Sequence, residues 1–206
     1  KGFSPVVIAL TMQDQQDLDQ HYPALNCSLK RGVVWGTLSI ACSFDQCRRE
    51  LVYDNSASNY ICDDYDIRID FNRFDRFGFP KVYEDSGLIK KFAENNSIKL
   101  EDLHLNKDDD NSCCLGIFPE YLWQGAFAYI RDKIVPFLYW QSHRRIYGKE
   151  PWKAYAHGND GIKEAMVLPP SQCSKGASRN IKCPCGSGQK YKKCCMNRDV
   201  ILKSKL

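Results

Sequence analysis

Four cysteines lie within thirteen positions near the end of the chain, and they constrain its folding more than any other feature. Cys183 and Cys185 are separated by eight residues from Cys194 and Cys195, and the Gly-Ser-Gly sequence between the pairs favours a turn that brings them together. Four thiolates suit tetrahedral zinc. Two disulfides or free thiols are the alternative, but a segment this short has almost no core without a metal. We therefore predict one structural zinc ion bound by Cys183, Cys185, Cys194 and Cys195.

The segment around these cysteines has a recognisable sequence. The residues from Arg179 to Cys195 read RNIKCPCGSGQKYKKCC and closely resemble the SEC-C zinc motif, which is named for the C-terminus of the SecA translocation ATPase. In that family the module docks partner proteins and catalyses no reaction, so the resemblance implies a docking role. A zinc ion with four protein ligands also has no open position for an activated water.

The basic charge of the chain is concentrated in the same region. Residues 174–206 contain nine basic residues and one acidic residue, whereas residues 1–173 contain 20 basic and 24 acidic residues. A basic tail can contact nucleic acid, an acidic protein surface or the acidic main domain. Of these partners for the basic tail, we expect a protein surface rather than nucleic acid. The apolar run at residues 5–10 is too short to span a membrane and lacks the flanks of a secretory signal, so we expect a cytoplasmic protein with no membrane partner.

The first part of the chain predicts an α+β fold with an antiparallel sheet. A capping signal at Thr11 predicts a helix that ends before Pro23. Residues 25–44, 65–71 and 79–84 have the composition or the alternation of strands. Within residues 65–71 the aromatic and aliphatic side chains are predicted to point to one face: Tyr65, Ile67, Ile69 and Phe71.

The second half of this domain is predicted from weaker signals. Residues 85–115 are rich in Asp, Asn and Lys, so we expect a loop that carries the chemistry. Pro119 is expected to open a helix that Pro136 kinks or divides. An apolar stripe along that helix is predicted to face the core: Trp123, Phe127, Ile130 and Ile134. We predict a main domain at residues 1–166, a linker at residues 167–180 and the zinc module with its basic tail at residues 181–206.

Two adjacent cysteines in the expected loop are candidates for covalent chemistry. Cys113 and Cys114 lie beside apolar residues, so one of them is expected to be buried and the other exposed. Four short motifs here resemble the ubiquitin-conjugating enzyme fold: residues 79–82 (FPKV), residues 104–106 (HLN), residues 114–115 (CL), and Trp123 before a helix. That family has a His-Pro-Asn tripeptide whose histidine lies ten residues before the catalytic cysteine. The same interval separates His104 from Cys114, so the resemblance selects Cys114, although Leu105 stands where the family has proline.

A narrower resemblance concerns conjugating domains encoded in prokaryotic anti-phage operons such as CBASS. The runs that carry it are residues 80–87, 104–108, 114–116, 148–152 and 157–162. In those systems the enzyme links the C-terminus of a nucleotidyltransferase, or of a ubiquitin-like protein, to an amine. The resemblance implies a protein of one of these two classes as the acyl donor.

The resemblance also implies roles for individual residues. Cys114 would carry the acyl group as a thioester. The amide of Asn106 would stabilise the oxyanion by about 3 kcal/mol, and His104 would hold the loop. Asp108, Asp109 or Asp110 could orient an incoming lysine, or the run could be a solvated charged surface.

No cofactor other than zinc is expected, and two other functions remain open. The sequence has no Gly-rich phosphate loop, so a separate activating enzyme or a preformed thioester must supply the acyl group. One alternative is a binding protein with the conjugating fold but without turnover. The other is a zinc-dependent adaptor that binds nucleic acid through its basic tail.

Overall fold

The computed structural model describes residues 8–45, 50–53, 55, 57, 59–75, 78–106, 110–116, 123–152 and 190. The chain divides into two compact units, residues 1–115 with 120–153 and residues 116–119 with 154–206. The helices and strands given below belong to the first unit. The predicted boundary at residue 166 lies outside the described residues, as do the predicted linker and the whole zinc module except Lys190.

The first unit is an α+β fold with an antiparallel sheet, as predicted. In chain order the elements are α1 (Met12–His21), β1 (Leu25–Ser28), β2 (Val33–Asp45), β3 (Glu50–Val52), β4 (Ile61–Phe74), β5 (Pro80–Glu84), α2 (Leu88–Asn96), a 3-10 turn (Leu100–Leu103), β6 (Leu105–Asn106), β7 (Ser112–Cys113), α3 (Ala126–Tyr129), a π-helical segment (Ile130–Ile134) and α4 (Val135–Tyr147). The strands of the sheet are ordered β1-β2-β4-β5, β3 pairs with β2, and β6 and β7 form a separate two-stranded ribbon.

Helix α1 begins at the predicted capping signal. The Thr11 hydroxyl accepts the Asp14 N–H at 3.1 Å, and the Asp14 carboxylate accepts the Thr11 N–H at 2.9 Å, which satisfies two N–H groups that a helix start leaves unpaired. The other Asp14 oxygen accepts the N–H of Ala126 at 2.6 Å. A side chain at Gly125 would come within 2.9 Å of that oxygen. Asp14 therefore caps α1 and also joins it to the start of α3.

The sheet follows the alternation in the sequence. Tyr65, Ile67 and Ile69 on β4 are at most 2% exposed, whereas Asp66 between them is exposed. In β2, Gly36 has φ +137°, and a Cβ atom there would lie 2.3 Å from the Ala24 carbonyl oxygen. Only glycine fits at this close approach of the chain. The inner face of the sheet is the hydrophobic core against which the helices pack.

The prediction of a loop at residues 85–115 is wrong, because regular elements form much of this segment. This segment contains α2, the 3-10 turn and the β6–β7 hairpin. Helix α2 buries Ile89 and Ala93, and Leu88 and Phe92 beside them are half-buried. Its first N–H groups, those of Leu88 and Ile89, donate to the Glu84 carboxylate at 3.2 Å each. The helix is thus capped by a residue of the preceding strand.

The predicted helix after residue 119 begins later than expected. Pro119 lies outside the described residues, and Trp123 precedes α3, which begins at Ala126. Ile130 and Ile134 are fully buried as predicted. Pro136 lies at the start of α4, directly after the π-helical segment, and the wider turn there accommodates a residue that lacks an N–H. No helix in the described part of the chain is long and apolar enough to cross a membrane.

Candidate active site

The β6–β7 hairpin brings the candidate residues together. Leu105 pairs with Cys113 and Asn106 pairs with Ser112 in antiparallel register. The Cys114 N–H donates to the His104 carbonyl at 2.7 Å, which continues the ladder by one position. His104 therefore lies opposite Cys114, the cysteine that the ten-residue spacing selects.

This register gives the hairpin two chemically different faces. Because paired residues share a face and side chains alternate along a strand, Leu105 and Cys113 lie on one face, and Asn106, Ser112 and Cys114 lie on the other. Leu105 and Cys113 are 6% and 7% exposed. On the second face Ser112 is only 1% exposed, whereas Asn106 and Cys114 are half-buried. The structure thus has one buried and one accessible cysteine in the pair, as the sequence predicts.

The two thiols differ in their chemistry as well as in their exposure. Burial raises the pKa of the Cys113 thiol strongly, with a further contribution from the nearby Glu84 carboxylate. A thiol that stays protonated is a poor nucleophile. Cys113 is therefore expected to be a poor nucleophile, and Cys114 is the more exposed cysteine of the pair.

The Asn106 amide lies close to the Cys114 side of the hairpin. Its Nδ2 atom donates to the Ser112 hydroxyl at 3.2 Å, and Ser112 is only 1% exposed. Asn106 and Cys114 are diagonal neighbours across the two strands, which places their Cβ atoms roughly 7 Å apart.

Helix α4 holds the turn that precedes the hairpin. The Gln141 side chain is buried and donates to the Leu103 carbonyl at 2.6 Å. Arg144 donates to the Asp102 carbonyl at 2.8 Å. These bonds satisfy carbonyls that the end of a 3-10 turn leaves without helical partners.

His104 itself packs against the same helix. Its ring meets Trp140 edge to face, with centroids 5.1 Å apart, and its backbone has φ +56°, a left-handed conformation that non-glycine residues adopt at some cost. The ring contact helps to keep this residue in place. A role in holding the loop is consistent with these contacts.

The structure changes the interpretation of the acidic run. Asp108 and Asp109 lie outside the described residues, and Asp110 is an exposed residue that pairs with side chains of the main sheet. Its carboxylate forms a short ion pair with Arg73, accepts the Tyr83 hydroxyl at 3.0 Å and lies 3.9 Å from the Lys81 ammonium. The sequence contains no local signal for these contacts because the three partners lie 27 to 37 positions away. We call these three residues and Asp110 the Asp110 clamp.

An open cavity of about 290 Å³ lies beside the hairpin. Asp110 and Asp85 both line it, and each carboxylate is paired with an arginine. The Asp85 pair, with Arg68 Nε at 3.0 Å, is about as exposed as the Asp110 pair. Only Asp110, however, lies on the hairpin itself.

The predicted zinc ligands Cys183, Cys185, Cys194 and Cys195 lie outside the described residues. Within the residues that the structure does describe, no cluster of three or more His, Cys, Asp or Glu side chains could hold a metal ion. The donor set itself still fits zinc, because four thiolates in two close pairs match the tetrahedral preference of that ion.

Comparison with known proteins identifies the C-terminal segment alone. Residues 179–197 match the SEC-C motif, which confirms that prediction. The chain is similar to protein translocase subunit SecA of Desulforudis audaxviator, with 51% identity over 45 residues (22% of this chain and 4% of the relative). SecA of Geobacter sulfurreducens is 69% identical over 34 residues (16% and 4%). SecA of Pelobacter propionicus is 34% identical over 79 residues (36% and 9%).

These similarities cover little of either protein. The chain spans no more than 9% of the length of these SecA proteins, and no solved structure matches it. They therefore leave the first unit without an assigned family. The chain contains a SEC-C motif, a possible zinc-binding motif, at residues 179–197.

Proposed function

We propose that this protein is a ubiquitin-conjugating-type acyltransferase. Cys114 carries the C-terminal glycine of a protein as a thioester and passes it to an amine. The observation that carries the proposal is the two-faced hairpin, in which Asn106 and Cys114 are half-buried on one face while Cys113 is buried on the other. The sequence spacing and the strand register select the same cysteine independently.

The arrangement of the first unit also supports the proposal. A helix, an antiparallel sheet, the hairpin and then the long helical region follow one another, which is the order that the resemblance to the conjugating-enzyme fold implies. Leu105, which replaces the proline of the family motif, is 6% exposed and points to the core face of the hairpin. The replacement therefore fills apolar space and leaves the accessible face unchanged.

The chemistry needs only a few groups. The Cys114 thiolate attacks the carbonyl carbon of a donor thioester, a new C–S bond forms, and the donor C–S bond breaks to release a thiol. An amine then attacks the same carbonyl, forms a C–N bond, loses its proton to solvent and releases the Cys114 thiolate. Each attack passes through an oxyanion, and we assign its stabilisation to the Asn106 amide, which would contribute about 3 kcal/mol.

The partners follow from the resemblance to the anti-phage domains. The acyl donor is the C-terminus of a CBASS nucleotidyltransferase or of a ubiquitin-like protein, and a separate activating enzyme supplies it. The SEC-C module would bind zinc through Cys183, Cys185, Cys194 and Cys195 and dock a protein partner. The zinc would cross-link that segment and take no part in the acyl transfer. Metal analysis of the purified protein should find one zinc per chain, which Cys194→Ser should lower.

A second candidate function is a binding protein that does not turn over. It is favoured by the Asn106 amide, which already donates to Ser112 and would have to supply its second N–H to an oxyanion. The basic tail leaves a nucleic-acid adaptor as a further outcome, which would bind RNA or DNA with a steep dependence on salt.

An acylation experiment separates these functions. The full-length protein is incubated with a peptide that ends in a glycine thioester of mercaptoethanesulfonate. Its intact mass is measured before and after hydroxylamine, which cleaves thioesters but not disulfides, and the modified cysteine is located by peptide mass. We expect a hydroxylamine-sensitive adduct on Cys114 in the wild type and in Cys113→Ala, and no adduct on the hairpin in Cys114→Ala. An adduct on Cys113, or none on Cys114, would exclude the transferase function.

A further inference from the structure

The Asp110 clamp joins the hairpin to two strands of the main sheet. Arg73 lies on β4, and Lys81 and Tyr83 lie on β5. The Lys81 and Tyr83 side chains are almost completely buried, at 8% and 6% exposure. A buried ammonium group needs a compensating charge, and the Asp110 carboxylate is an anion that faces it. The clamp therefore connects an exposed ion pair, Asp110 with Arg73, to two buried side chains of the sheet.

The backbone around Asp110 has the conformation of a hairpin turn. Asp110 and Asn111 have φ angles of +57° and +59°, and Asp and Asn tolerate this left-handed conformation better than other non-glycine residues. The ion pairs and the hydroxyl bond of Asp110 add contacts with the main sheet to this local preference.

The clamp is connected directly to the candidate active site. The N–H of Asn111, the residue after Asp110, donates to the Asn106 carbonyl at 3.0 Å. The next residue, Ser112, accepts the Asn106 side-chain amide, and two positions further the Cys114 N–H donates to His104. A shift of Asp110 would therefore move both the Asn106 amide and the strand that carries Cys114.

We propose that Asp110 is a positioning residue, and that its contacts with Arg73, Lys81 and Tyr83 set the orientation of Asn106 relative to Cys114. The proposal rests on the proposed function, because it assigns Asp110 a role in the same reaction. Asp110 acts through Asn106 and does not itself contact the substrate. Loss of the clamp should affect the aminolysis step, which needs the oriented amide, more than it affects the accessibility of the thiol.

The first test measures aminolysis in a double-mutant cycle. The Cys114 thioester is formed with the glycine thioester peptide, and its discharge to free lysine is followed in Asp110→Ala, Asn106→Ala and the double variant. We expect Asp110→Ala to slow discharge about tenfold, and to slow it far less when Asn106 is already alanine, because residues that act through one another are not additive. Asp85→Asn is the matched control, since it removes a comparably exposed arginine pair at the same cavity, and it should discharge at the wild-type rate.

The second test does not depend on activity. Amide hydrogen exchange is measured for Asn111 and Cys114, whose N–H groups are bonded within the hairpin. We expect Asp110→Ala to speed exchange at both positions at least about tenfold, because local opening no longer has to break the clamp. The Asp85→Asn variant should leave these two rates at the wild-type value.

The two tests separate the ways in which the account can fail. The proposal fails if Asp110→Ala leaves hydrogen exchange at Asn111 and Cys114 unchanged, whatever its discharge rate. It also fails if Asp110→Ala speeds this exchange but discharges its thioester at the wild-type rate, while Asn106→Ala discharges slowly. A third outcome is that the wild type forms no adduct but Asp110→Ala still speeds exchange. The proposed function and the positioning role of Asp110 then both fail, and the clamp remains a structural contact.

Discussion

The main sheet and the segment at residues 85–115 are ordered by different means. Strand β4 follows its own alternation, and the residues that face the core carry the information in their own side chains. The segment at residues 85–115 is polar, and its order depends on side chains from elsewhere. Glu84 caps α2, Gln141 and Arg144 hold the 3-10 turn, and the Asp110 clamp holds the hairpin.

The difference between the two regions shows which contacts keep the candidate active site rigid. Apolar burial stabilises the sheet as a whole, whereas in the hairpin that carries Asn106 and Cys114 a few long-range polar contacts add to the burial of Leu105 and Cys113. A substitution in the sheet core should therefore lower global stability. A substitution in the polar contacts should disturb the site with a smaller change in stability, and the predictions below use this contrast.

The largest effect is expected in the sheet core. Ile69 is fully buried, and Ile69→Ala should lower the free energy of unfolding by about 3–4 kcal/mol because it removes apolar contacts and leaves a cavity. Urea denaturation measures this directly. Ile146→Ala is the matched control, since Ile146 is 49% exposed, and it should change stability by less than about 0.5 kcal/mol. Equal losses in the two variants would contradict the burial described here.

A smaller effect is expected at Gln141. Gln141→Leu leaves the buried Leu103 carbonyl without this donor and should lower stability by about 1–3 kcal/mol. It should also lower the discharge rate of the Cys114 thioester, because the turn before His104 loses its support. The control is Gln13→Leu, which removes an exposed glutamine bond to Asp17. If both glutamine variants behaved alike, the support from α4 would have no special role.

The cap of α2 should contribute about 1 kcal/mol. Glu84→Ala removes the acceptor for the Leu88 and Ile89 N–H groups, and helix caps typically contribute this amount. The loss should be visible as faster hydrogen exchange of these two amides. Glu94→Ala removes an exposed glutamate from the same helix and should leave their exchange unchanged.

The smallest effect is expected at the Arg68–Asp85 pair. Asp85→Asn should change the free energy of unfolding by no more than about 1 kcal/mol, because both side chains are substantially exposed and solvent screens their attraction. The effect should shrink further when salt is raised. A loss comparable to that of Ile69→Ala would show that polar contacts stabilise the sheet as much as burial does.

The sequence predicts the parts of the fold whose signals are local. The capping box at Thr11, the alternation in β4, the strand at residues 80–84 and the apolar positions Ile130 and Ile134 all follow from neighbouring residues. Helix α2 is missed although Leu88, Ile89, Phe92 and Ala93 recur at helical spacing, because the Asp, Asn and Lys residues around it favour the prediction of a loop. The spacing of apolar residues predicts that Trp123 lies on a helix, but the helix begins at Ala126. The N–H of Ala126 donates to the carboxylate of Asp14, which is distant in the sequence.

The sequence suggests the residues of the candidate site, but it does not predict the contacts that hold them in place. The ten-residue interval selects Cys114, and the apolar neighbours predict that one cysteine of the pair is buried. No pattern in the sequence shows that Asp110 binds Arg73 and Tyr83, because contacts between residues that distant depend on the completed fold. The supports of the site are therefore found only in the structure.

The reactivity of the two adjacent thiols tests the central claim most directly. Cys113→Ala and Cys114→Ala are treated with iodoacetamide in the folded state, and alkylation of the remaining hairpin cysteine is followed by peptide mass. The account predicts that Cys114 reacts at least about a hundred times faster than Cys113, since Cys113 can react only when the hairpin opens. Equal rates, or a faster Cys113, would contradict the two-faced hairpin on which the proposed function depends.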